Sequence, residues 1–420
     1  MQGASSTVIL AFGATQIVDR KTIGHWMSFS RESIKESKWA IGLRSGRLCR
    51  HRSFSTVDAR LMTVRPELTG RPARVLFLIG ALACLLICGV SCGPSLSPED
   101  RLSFARGINL SGAELNPERK SAIYGKDYIY PTPEELDYYA RKGFAVVRLP
   151  YRWERLQPSL LGSLDDAELG RIKTVVTAAQ ARNVQVILSP HNGGRYFLRG
   201  TEMLIGTADV PIKAFADFSG KVASAFAGNQ AVYALSLMNE PHDSEGLWKQ
   251  TAQAGLDAIR AVDHERLVLA PGDEWSGAWS WRRHNDDFLL DDPAHHILYE
   301  AHQYFDLDHS GFYRFDYTRN AASPDRGVEL VHPFAVWLKQ HHVRGILTEF
   351  GVPNDDPRWL DLTQRLLAYL AREDIPWIYW AGGPWWGNYR LSAEPKNGVD
   401  APIMSVLTRH YGTNSAEQNR

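Results

Sequence analysis

Residues 231–242 read AVYALSLMNEPH. The first eight of these residues are almost all apolar, and the run stops at Asn239-Glu240-Pro241-His242. A short apolar run of this kind is typical of a strand that is buried in a parallel sheet. We therefore predict a strand over residues 231–238 that carries polar side chains at its carboxyl end.

Seven further runs of this kind occur from residue 104 onward, with helix-length amphipathic segments between most of them. The predicted strands cover residues 104–110, 145–149, 184–189, 231–238, 266–270, 297–302, 344–348 and 377–380. The predicted helices cover residues 133–142, 165–182, 211–227, 245–262, 333–342 and 357–372. Strands that alternate with helices indicate an α/β protein with a parallel sheet.

The number of strands decides between two α/β architectures. Eight strands over about 310 residues predict a (β/α)8 TIM barrel, which is one domain despite its length. A doubly wound sheet is the alternative; it more often has about five or six strands and a glycine-rich first turn, and the sequence has no GxGxxG motif. The predicted barrel is a single domain over residues 104–411, followed by a disordered tail over residues 412–420.

Charge is unevenly distributed, although the formal net charge of the 420-residue chain is zero. Residues 1–74 contain 13 Lys and Arg against 5 Asp and Glu, so residues 75–420 contain 34 against 42. The mild acidity of the folded part argues against nucleic acid as a partner. All four cysteines lie before residue 93, so the predicted barrel has neither a disulfide nor a cysteine-ligated metal.

An export signal is predicted in front of the barrel. Residues 75–90 form an uncharged run of 16 residues between Arg74 and Ser91-Cys92-Gly93, which is short for a membrane span of about 20 apolar residues. With Met62 as the natural start, the signal sequence covers residues 62–92 and a short linker covers residues 93–103. A retained anchor helix is the alternative.

Two features of the leader are open between alternatives. Residues 89–92 (GVSC) resemble the lipobox of bacterial lipoproteins, apart from Gly89 where leucine is usual. Cys92 is therefore either a lipid-attachment site or part of a plainly secreted precursor. We interpret residues 1–61 as disordered or as a mis-assigned extension, and a transit peptide is the rival interpretation. We expect a secreted monomer, held at a cell surface only where Cys92 is lipidated.

Polar residues recur at the carboxyl ends of the predicted strands, where a barrel carries its active site. They are Arg148, His191, Asn192, Asn239, Glu240, His302, Tyr304, Glu349 and Trp380. A single Glu after a strand is commonly a solvated loop residue, but Glu240 and Glu349 form a pair among cationic, amide and aromatic neighbours. Hydrolysis of a glycosidic bond needs such a pair, since one carboxyl must be protonated while the other is ionised. Glu300 is a rival carboxylate, but it lies deeper in its strand, and we interpret it as an interior hydrogen-bond partner.

Two motifs at these positions, LMNEPH (residues 237–242) and LTEFG (residues 347–351), resemble the two signatures of glycoside hydrolase family 5. The resemblance covers about residues 104–411. It also includes Gly107-Ile108-Asn109, Arg148, His191-Asn192, the His302-x-Tyr304 pair and Trp380. It implies a retaining glycoside hydrolase on a TIM barrel, with Glu240 as the general acid/base and Glu349 as the nucleophile.

The same resemblance implies roles for the neighbouring residues. Arg148 and Tyr304 would bond Glu349 and hold it ionised, because a cationic neighbour lowers the pKa of a carboxylate. Asn239 would bond the sugar 2-hydroxyl. The residues expected to line the rest of the sugar site are His191, Asn192, His302 and Trp380. There are structural alternatives to these roles: Arg148 is then a simple ion-pair partner, and the histidines are core residues. No cofactor is implied, and no ligand-spaced cluster predicts a metal; a metal-dependent hydrolase is the corresponding alternative.

Three loops look like those of a bacterial and fungal endoglucanase subgroup, which implies a polysaccharide substrate of the β-1,4-glucan (cellulose) type. The loops cover residues 269–275, 302–311 and 380–386. They contain Trp275, Trp385 and Trp386, each of which is either a sugar platform or core packing. Gly193-Gly194 departs from the family pattern, which often has an aromatic residue after His-Asn; a stacking face is missing there, or Tyr196 replaces it. The alternative substrates are β-mannan, xyloglucan and β-1,3-glucan, and a catalytically silent glycan-binding lipoprotein is the alternative from another class.

Overall fold

The structure is a computed structural model of the 420-residue chain, and it describes residues 106–117 and 122–409. The predicted extension (1–61), signal sequence (62–92, with Cys92), linker (93–103) and tail (412–420) lie outside these residues. Among the helices within the described ranges, none is both long and apolar enough to cross a membrane.

Parallel strands close into a barrel. The strands that the structure describes are β1 (Arg106–Leu110), β2 (Phe144–Tyr151), β3 (Gln185–Pro190), β4 (Arg195–Leu198), β5 (Thr201–Leu204), β6 (Val232–Ser236), β7 (Leu267–Pro271), β8 (Ile297–His302), β9 (Gly345–Glu349) and β10 (Trp377–Gly382). All except β4 and β5 belong to the barrel; they follow one another around it in chain order, and β10 pairs with β1. This arrangement confirms the predicted (β/α)8 TIM barrel and excludes the doubly wound sheet.

Each of the eight predicted strands overlaps an observed barrel strand, and the prediction for residues 297–302 coincides with β8. The sequence patterns do not predict the antiparallel hairpin of β4 and β5. Its turn residues Arg199 and Gly200 have φ angles of 52° and 87°, as expected for the tight turn of a two-residue hairpin loop. The glycine between two short, partly apolar segments is the signal that could have revealed it.

Helices surround the barrel, and several begin at recognisable caps. The described helices are α1 (Pro133–Arg141), α2 (Trp153–Leu156), α3 (Asp166–Gln180), α4 (Ile212–Ala225), α5 (Trp248–Arg260), α6 (Trp281–His284), α7 (Arg326–His341), α8 (Pro357–Arg372) and α9 (Met404–Leu407). A capping box of Thr132 and Glu135 starts α1, and Asp356 caps α8; in both helices proline occupies the first position, where a missing N–H costs nothing.

One predicted helix start is wrong. Pro333 was expected to open a helix over residues 333–342, but it lies inside α7, which begins at Arg326. An internal proline normally breaks a helix because it removes a backbone hydrogen bond. The first turn of α7 packs against α8: a β-carbon at Gly327 would lie 2.9 Å from Leu362, so the two helices are in close contact there. Tertiary contact therefore outweighs the local signal.

The barrel interior changes from apolar to polar along the strands. Its apolar layer contains Val146, Ile187, Tyr233, Ala234, Leu267, Leu269, Leu298, Ile346 and Ile378. Side chains two positions apart on a strand share a face. The next interior residues toward the carboxyl ends therefore include Asn109, Arg148, Ser189, Ser236, Glu300 and Thr348, all of which are buried. This polar layer forms the base of the site described below.

Candidate active site

Glu349 is the last residue of β9, and its carboxylate is held by two donors. Nη1 of Arg148 donates to Oε1 at 2.7 Å, and the hydroxyl of Tyr304 donates to Oε2 at 3.2 Å. Burial raises the pKa of Glu349 above its ordinary value, and the positive charges of His302 and Arg148 limit that rise. The charge of Arg148 lowers this pKa, but burial outweighs it, so the role of Arg148 in holding Glu349 ionised stays a prediction.

Glu240 follows β6 and differs from Glu349 in exposure. The Glu240 side chain is 21% exposed, whereas that of Glu349 is 5% exposed. The backbone of Glu240 has a φ of 45°, in the left-handed region that non-glycine residues rarely adopt. Such a conformation persists only where the surrounding fold maintains the strain, and strained residues of this kind are common at active sites. The two carboxylates thus lie in unequal environments.

His302, the last residue of β8, lies between the acidic groups. Its Nδ1 atom is 3.0 Å from Oε1 of Glu240, and its Nε2 atom is 3.0 Å from Oγ1 of Thr348. Burial lowers the pKa of His302, but the negative charges of Glu349, Glu240 and Glu300 outweigh burial and raise it to about 9. His302 is therefore a proton-carrying neighbour of Glu240.

Arg148 of β2 connects the polar layer to the reacting groups. Beside Glu349, its terminal nitrogens contact the Oδ1 atoms of Asn109 (3.0 Å) and Asn239 (2.7 Å) and Oε1 of Glu300 (2.9 Å). The planar fork of a guanidinium can bond several acceptors at fixed angles, whereas a lysine ammonium is a point charge. Arg148 is thus both the charge partner of Glu349 and the group that sets the orientation of Asn239.

His191 and Trp380 form a second, neutral side of the site. Nε2 of His191 lies 3.1 Å from Nη1 of Arg148, which can only donate, so this nitrogen accepts. Burial and the charge of Arg148 lower the pKa of His191 well below its ordinary value, so the ring is neutral. Its face stacks on Trp380 of β10 at a centroid distance of 5.8 Å. Trp380 is partly exposed and is joined to Ala381 by a cis peptide bond.

Donor atoms of Glu240, His302 and Glu349 all lie within 4.8 Å of one another, near enough to hold a metal ion. Arg148 already supplies a positive charge to Glu349, and the raised pKa of His302 adds a second. A cation would be repelled by both. The absence of a metal requirement stays a prediction, and this charge balance supports it.

Comparisons with known proteins agree with this geometry. A family model described as cellulase (glycosyl hydrolase family 5) matches residues 104–385. The chain belongs to this family. A probable endo-β-1,4-glucanase B of Aspergillus oryzae is 35% identical over 73% of this chain and 90% of that protein. The crystal structure of Pseudomonas stutzeri endoglucanase Cel5A in complex with cellobiose is 41% identical, with a TM-score of 0.71 over 74% of this chain and 92% of that one. A structure of XacCel5A in complex with cellopentaose is 36% identical, with a TM-score of 0.68 over 73% and 99% of the two chains.

Two residues suggested by the family resemblance are used inside the fold. Asn192 accepts a hydrogen bond from the backbone N–H of Trp153 and donates one to Glu154, and its side chain is buried. These bonds do not support the substrate-binding role predicted for Asn192. Tyr196 is also buried, with its hydroxyl bonded to the carbonyl of Gln157. Tyr196 therefore does not supply the aromatic face that is missing where Gly193 stands.

The three loop tryptophans of this family 5 enzyme differ in environment. Trp275 stacks on His242 at 4.6 Å with an interplanar angle of 9°. Trp386 packs between Trp380 and Tyr389, so it is largely a support for the loop. Trp385 is exposed. The roles of Trp275 and Trp385 as sugar platforms stay predictions.

Sequence reasoning assigned no role to three residues that the structure brings to the site. Asn109 accepts from Arg148 and donates to the backbone carbonyls of Thr348 and Tyr379. Ser236 and Thr348 both donate to Glu300. The two-residue alternation of side chains along a strand is the signal that could have identified them. Each of these residues lies two positions beyond an interior glycine or apolar residue of its strand, so it faces the barrel interior as well.

Proposed function

We propose that this chain is an exported endo-β-1,4-glucanase that hydrolyses cellulose-type β-1,4-glucan with retention of anomeric configuration. The observation that carries the proposal is the placement of Glu240 and Glu349, whose carboxylate oxygens come within 4.8 Å of each other in unequal environments. Retaining enzymes need a separation of about 5–5.5 Å between the two carboxyl groups, whereas inverting enzymes need about 6.5–9.5 Å to admit a water molecule.

In the first step Glu349 attacks the anomeric carbon while Glu240 gives its proton to the departing glycosidic oxygen. The carbon–oxygen bond breaks, and the sugar becomes covalently attached to Glu349. In the second step Glu240 removes a proton from water, which attacks the same carbon and releases Glu349. Arg148 and Tyr304 support these steps because they hold both oxygens of Glu349 in place.

Asn239 and Trp380 are proposed to bind the sugar that reacts. Arg148 occupies the Oδ1 atom of Asn239, so the amide nitrogen is the group left to bond the 2-hydroxyl. Trp380 is kept in place by His191 on one side and Trp386 at its edge. A flat indole in this position suits the apolar face of a pyranose ring.

Internal cleavage of β-1,4-glucan is tested on a panel of polysaccharides. We expect the viscosity of carboxymethylcellulose and barley β-glucan to fall faster than reducing ends accumulate, and short cello-oligosaccharides to appear on chromatography. Lack of activity on both polymers would contradict the proposal. Activity confined to β-mannan, xyloglucan or β-1,3-glucan would favour the alternative substrates. The observation that favours these alternatives is Gly193, which stands where the family often has an aromatic residue for stacking on a sugar.

The two carboxylate roles are tested by azide rescue with an activated aryl β-cellobioside. Glu349→Ala should lose turnover, and azide should restore it with an α-cellobiosyl azide as product, because azide then attacks from the vacated face. Glu240→Ala with azide is the matched control; azide should attack the covalent intermediate and give the β-azide. The same anomer from both variants would contradict the assignment.

Export and the monomeric state are further parts of the proposal. Export is supported by the uncharged run of residues 75–90 behind Arg71 and Arg74. Intact mass of the natural protein should show a chain that starts at Cys92 with bound lipid or at another residue near it. A mature chain that retains residues 62–74 would contradict export by this signal.

A further inference from the structure

The buried carboxylate of Glu300 takes no direct part in the steps above, yet it is bonded to groups that do. It is fully buried and ion-paired with Arg148 at 2.9 Å. Its Oε2 accepts from Ser236 at 2.6 Å, and its Oε1 accepts from the hydroxyl of Thr348 at 2.7 Å. Burial raises the pKa of Glu300, but the attraction of Arg148 and the hydrogen bonds outweigh it and bring the pKa to about 2. Glu300 is therefore ionised and can only accept hydrogen bonds.

The direction of each hydrogen bond in this chain of groups follows from that charge. Because Glu300 has no proton to give, the single hydroxyl proton of Thr348 points to Glu300. The hydroxyl oxygen of Thr348 then has only lone pairs for His302, whose Nε2 lies 3.0 Å away. Nε2 of His302 must therefore carry a proton. The remaining ring nitrogen, Nδ1, faces Oε1 of Glu240 at 3.0 Å.

We infer that Glu300 and the Thr348 hydroxyl form a positioning relay that keeps the Nε2 proton on His302 and thereby makes Nδ1 the site that shares a proton with Glu240. This inference rests on the acid/base role proposed for Glu240. It adds a function for two residues that touch neither the sugar nor the reacting atoms.

The consequence concerns the proton that Glu240 needs for the first step. One proton resides on the pair, either on Oε1 of Glu240 or on Nδ1 of His302. When that proton leaves, the relay forces the Nδ1 lone pair to face the Glu240 carboxylate, which is unfavourable. Without the relay the ring can switch tautomer and donate from Nδ1 to the carboxylate. The relay therefore makes loss of the catalytic proton harder.

Other charged groups around His302 set the background for this effect. Glu349 lies 3.7 Å from Nδ1, and Glu300 lies 3.6 Å from Nε2. Arg148 of β2 and His191, which follows β3, lie 3.1 Å apart beside this cluster, and His191 is neutral. A variant that changes only the Thr348 hydroxyl leaves all these charges in place, so it isolates the relay.

The experiment compares the pH dependence of kcat/KM on an unactivated cello-oligosaccharide in the wild type and in Thr348→Val. We expect the alkaline limb of Thr348→Val to move to lower pH by about half a unit or more, with KM little changed. Thr348→Ser should return the limb to its wild-type position. Thr251→Val is the matched control, because that buried hydroxyl has no hydrogen-bond partner; its limb should not move.

Glu300→Gln is a second variant that acts on the same relay. It removes a negative charge near His302, so the alkaline limb should move in the same direction and further. A uniform loss of rate with an unmoved limb in folded Thr348→Val would overturn the relay. Glu240→Gln separates this result from failure of the proposed function: if that variant kept full activity on the unactivated substrate, the acid/base role itself would be wrong.

Discussion

The guanidinium of Arg148 and the carboxylate of Glu349 form a buried ion pair, with Nη1 at 2.7 Å from Oε1. A buried pair is strongly destabilised when one partner is removed, because the other charge is left uncompensated. In this protein the pair also has a chemical consequence. The positive charge lowers the pKa of Glu349 against the effect of burial, and the nucleophile must be ionised to react.

We predict that Arg148→Lys lowers kcat by about 100-fold, since one ammonium cannot bond Glu349, Asn239 and Glu300 together. The weaker contact lets the pKa of Glu349 rise, so the acid limb of kcat/KM should move to higher pH. The check is a pH–rate profile on cello-oligosaccharides. Arg260→Lys is the matched control. It alters a buried, two-bond ion pair with Asp292 away from the site, so the acid limb of kcat/KM should not move. An unmoved limb in Arg148→Lys would contradict the charge argument.

Loss of the Glu240 proton should matter only where the leaving group needs one. We predict that Glu240→Gln slows hydrolysis of cello-oligosaccharides by about 100-fold or more, while the first step on an aryl cellobioside with a very acidic phenol is little affected. Steady-state rates and the burst of released phenol measure the two steps separately. Equal losses on both substrates would rule out an acid role for Glu240.

The fold was predictable because the hydrophobic period is local information. The run at residues 297–302 marks β8 by itself, and the polar residues that follow each run locate the mouth of the barrel. The start of α7 was not predictable, because Pro333 breaks the local pattern, whereas the residues before it are held by contacts with distant parts of the chain. Gly327 packs against Leu362 of α8, and Arg326 donates to the backbone carbonyl of Phe305.

The site was predictable only as a set of residues. The family resemblance implies that Asn192 binds substrate together with His191. The side-chain oxygen of Asn192 instead accepts a hydrogen bond from the backbone N–H of Trp153, and no local sequence pattern indicates this contact. The prediction of Glu300 as an interior hydrogen-bond partner is confirmed. Its connection to His302 through Thr348 depends on the stagger between β8 and β9, which the sequence does not encode in any single segment.

Gly193 is predicted to set the position of His242 and its partner Trp275. A β-carbon at residue 193 would lie 2.8 Å from Cε1 of His242, whose Nδ1 is bonded to the carbonyl of Glu240 at 2.8 Å. Gly193→Ala should therefore raise KM for longer cello-oligosaccharides and lower kcat several-fold, measured by initial rates. Gly194→Ala carries a similar backbone penalty at a φ of 77°, but its β-carbon meets nothing closer than 3.6 Å. Equal effects of the two variants would show that backbone strain alone is responsible.

A pair of carboxyl groups beneath the β10 loop should make stability depend on pH. Oε1 of Glu394 accepts from the backbone of Gly383 at 2.6 Å and from the hydroxyl of Tyr139 at 2.8 Å. Glu135 is near enough for the negative charge of Glu394 to raise its pKa. Its Oε1 atom is buried without a hydrogen bond. Burial, with a smaller contribution from Glu394, raises the pKa of Glu135 to about 7.

A carboxyl whose pKa is raised by folding stabilises the protein fully below its unfolded pKa of about 4.3, and this contribution is lost as pH rises through the folded value. We predict that Glu135→Gln, which keeps an oxygen for the Thr132 cap, raises Tm by about 2 °C at pH 8 and has little effect at pH 4.5. Calorimetry at the two pH values is the measurement. Glu134→Gln changes an exposed carboxyl in the same helical turn and should be neutral at both. If Glu135→Gln shifted Tm equally at pH 4.5 and pH 8, the buried charge would not be the cause.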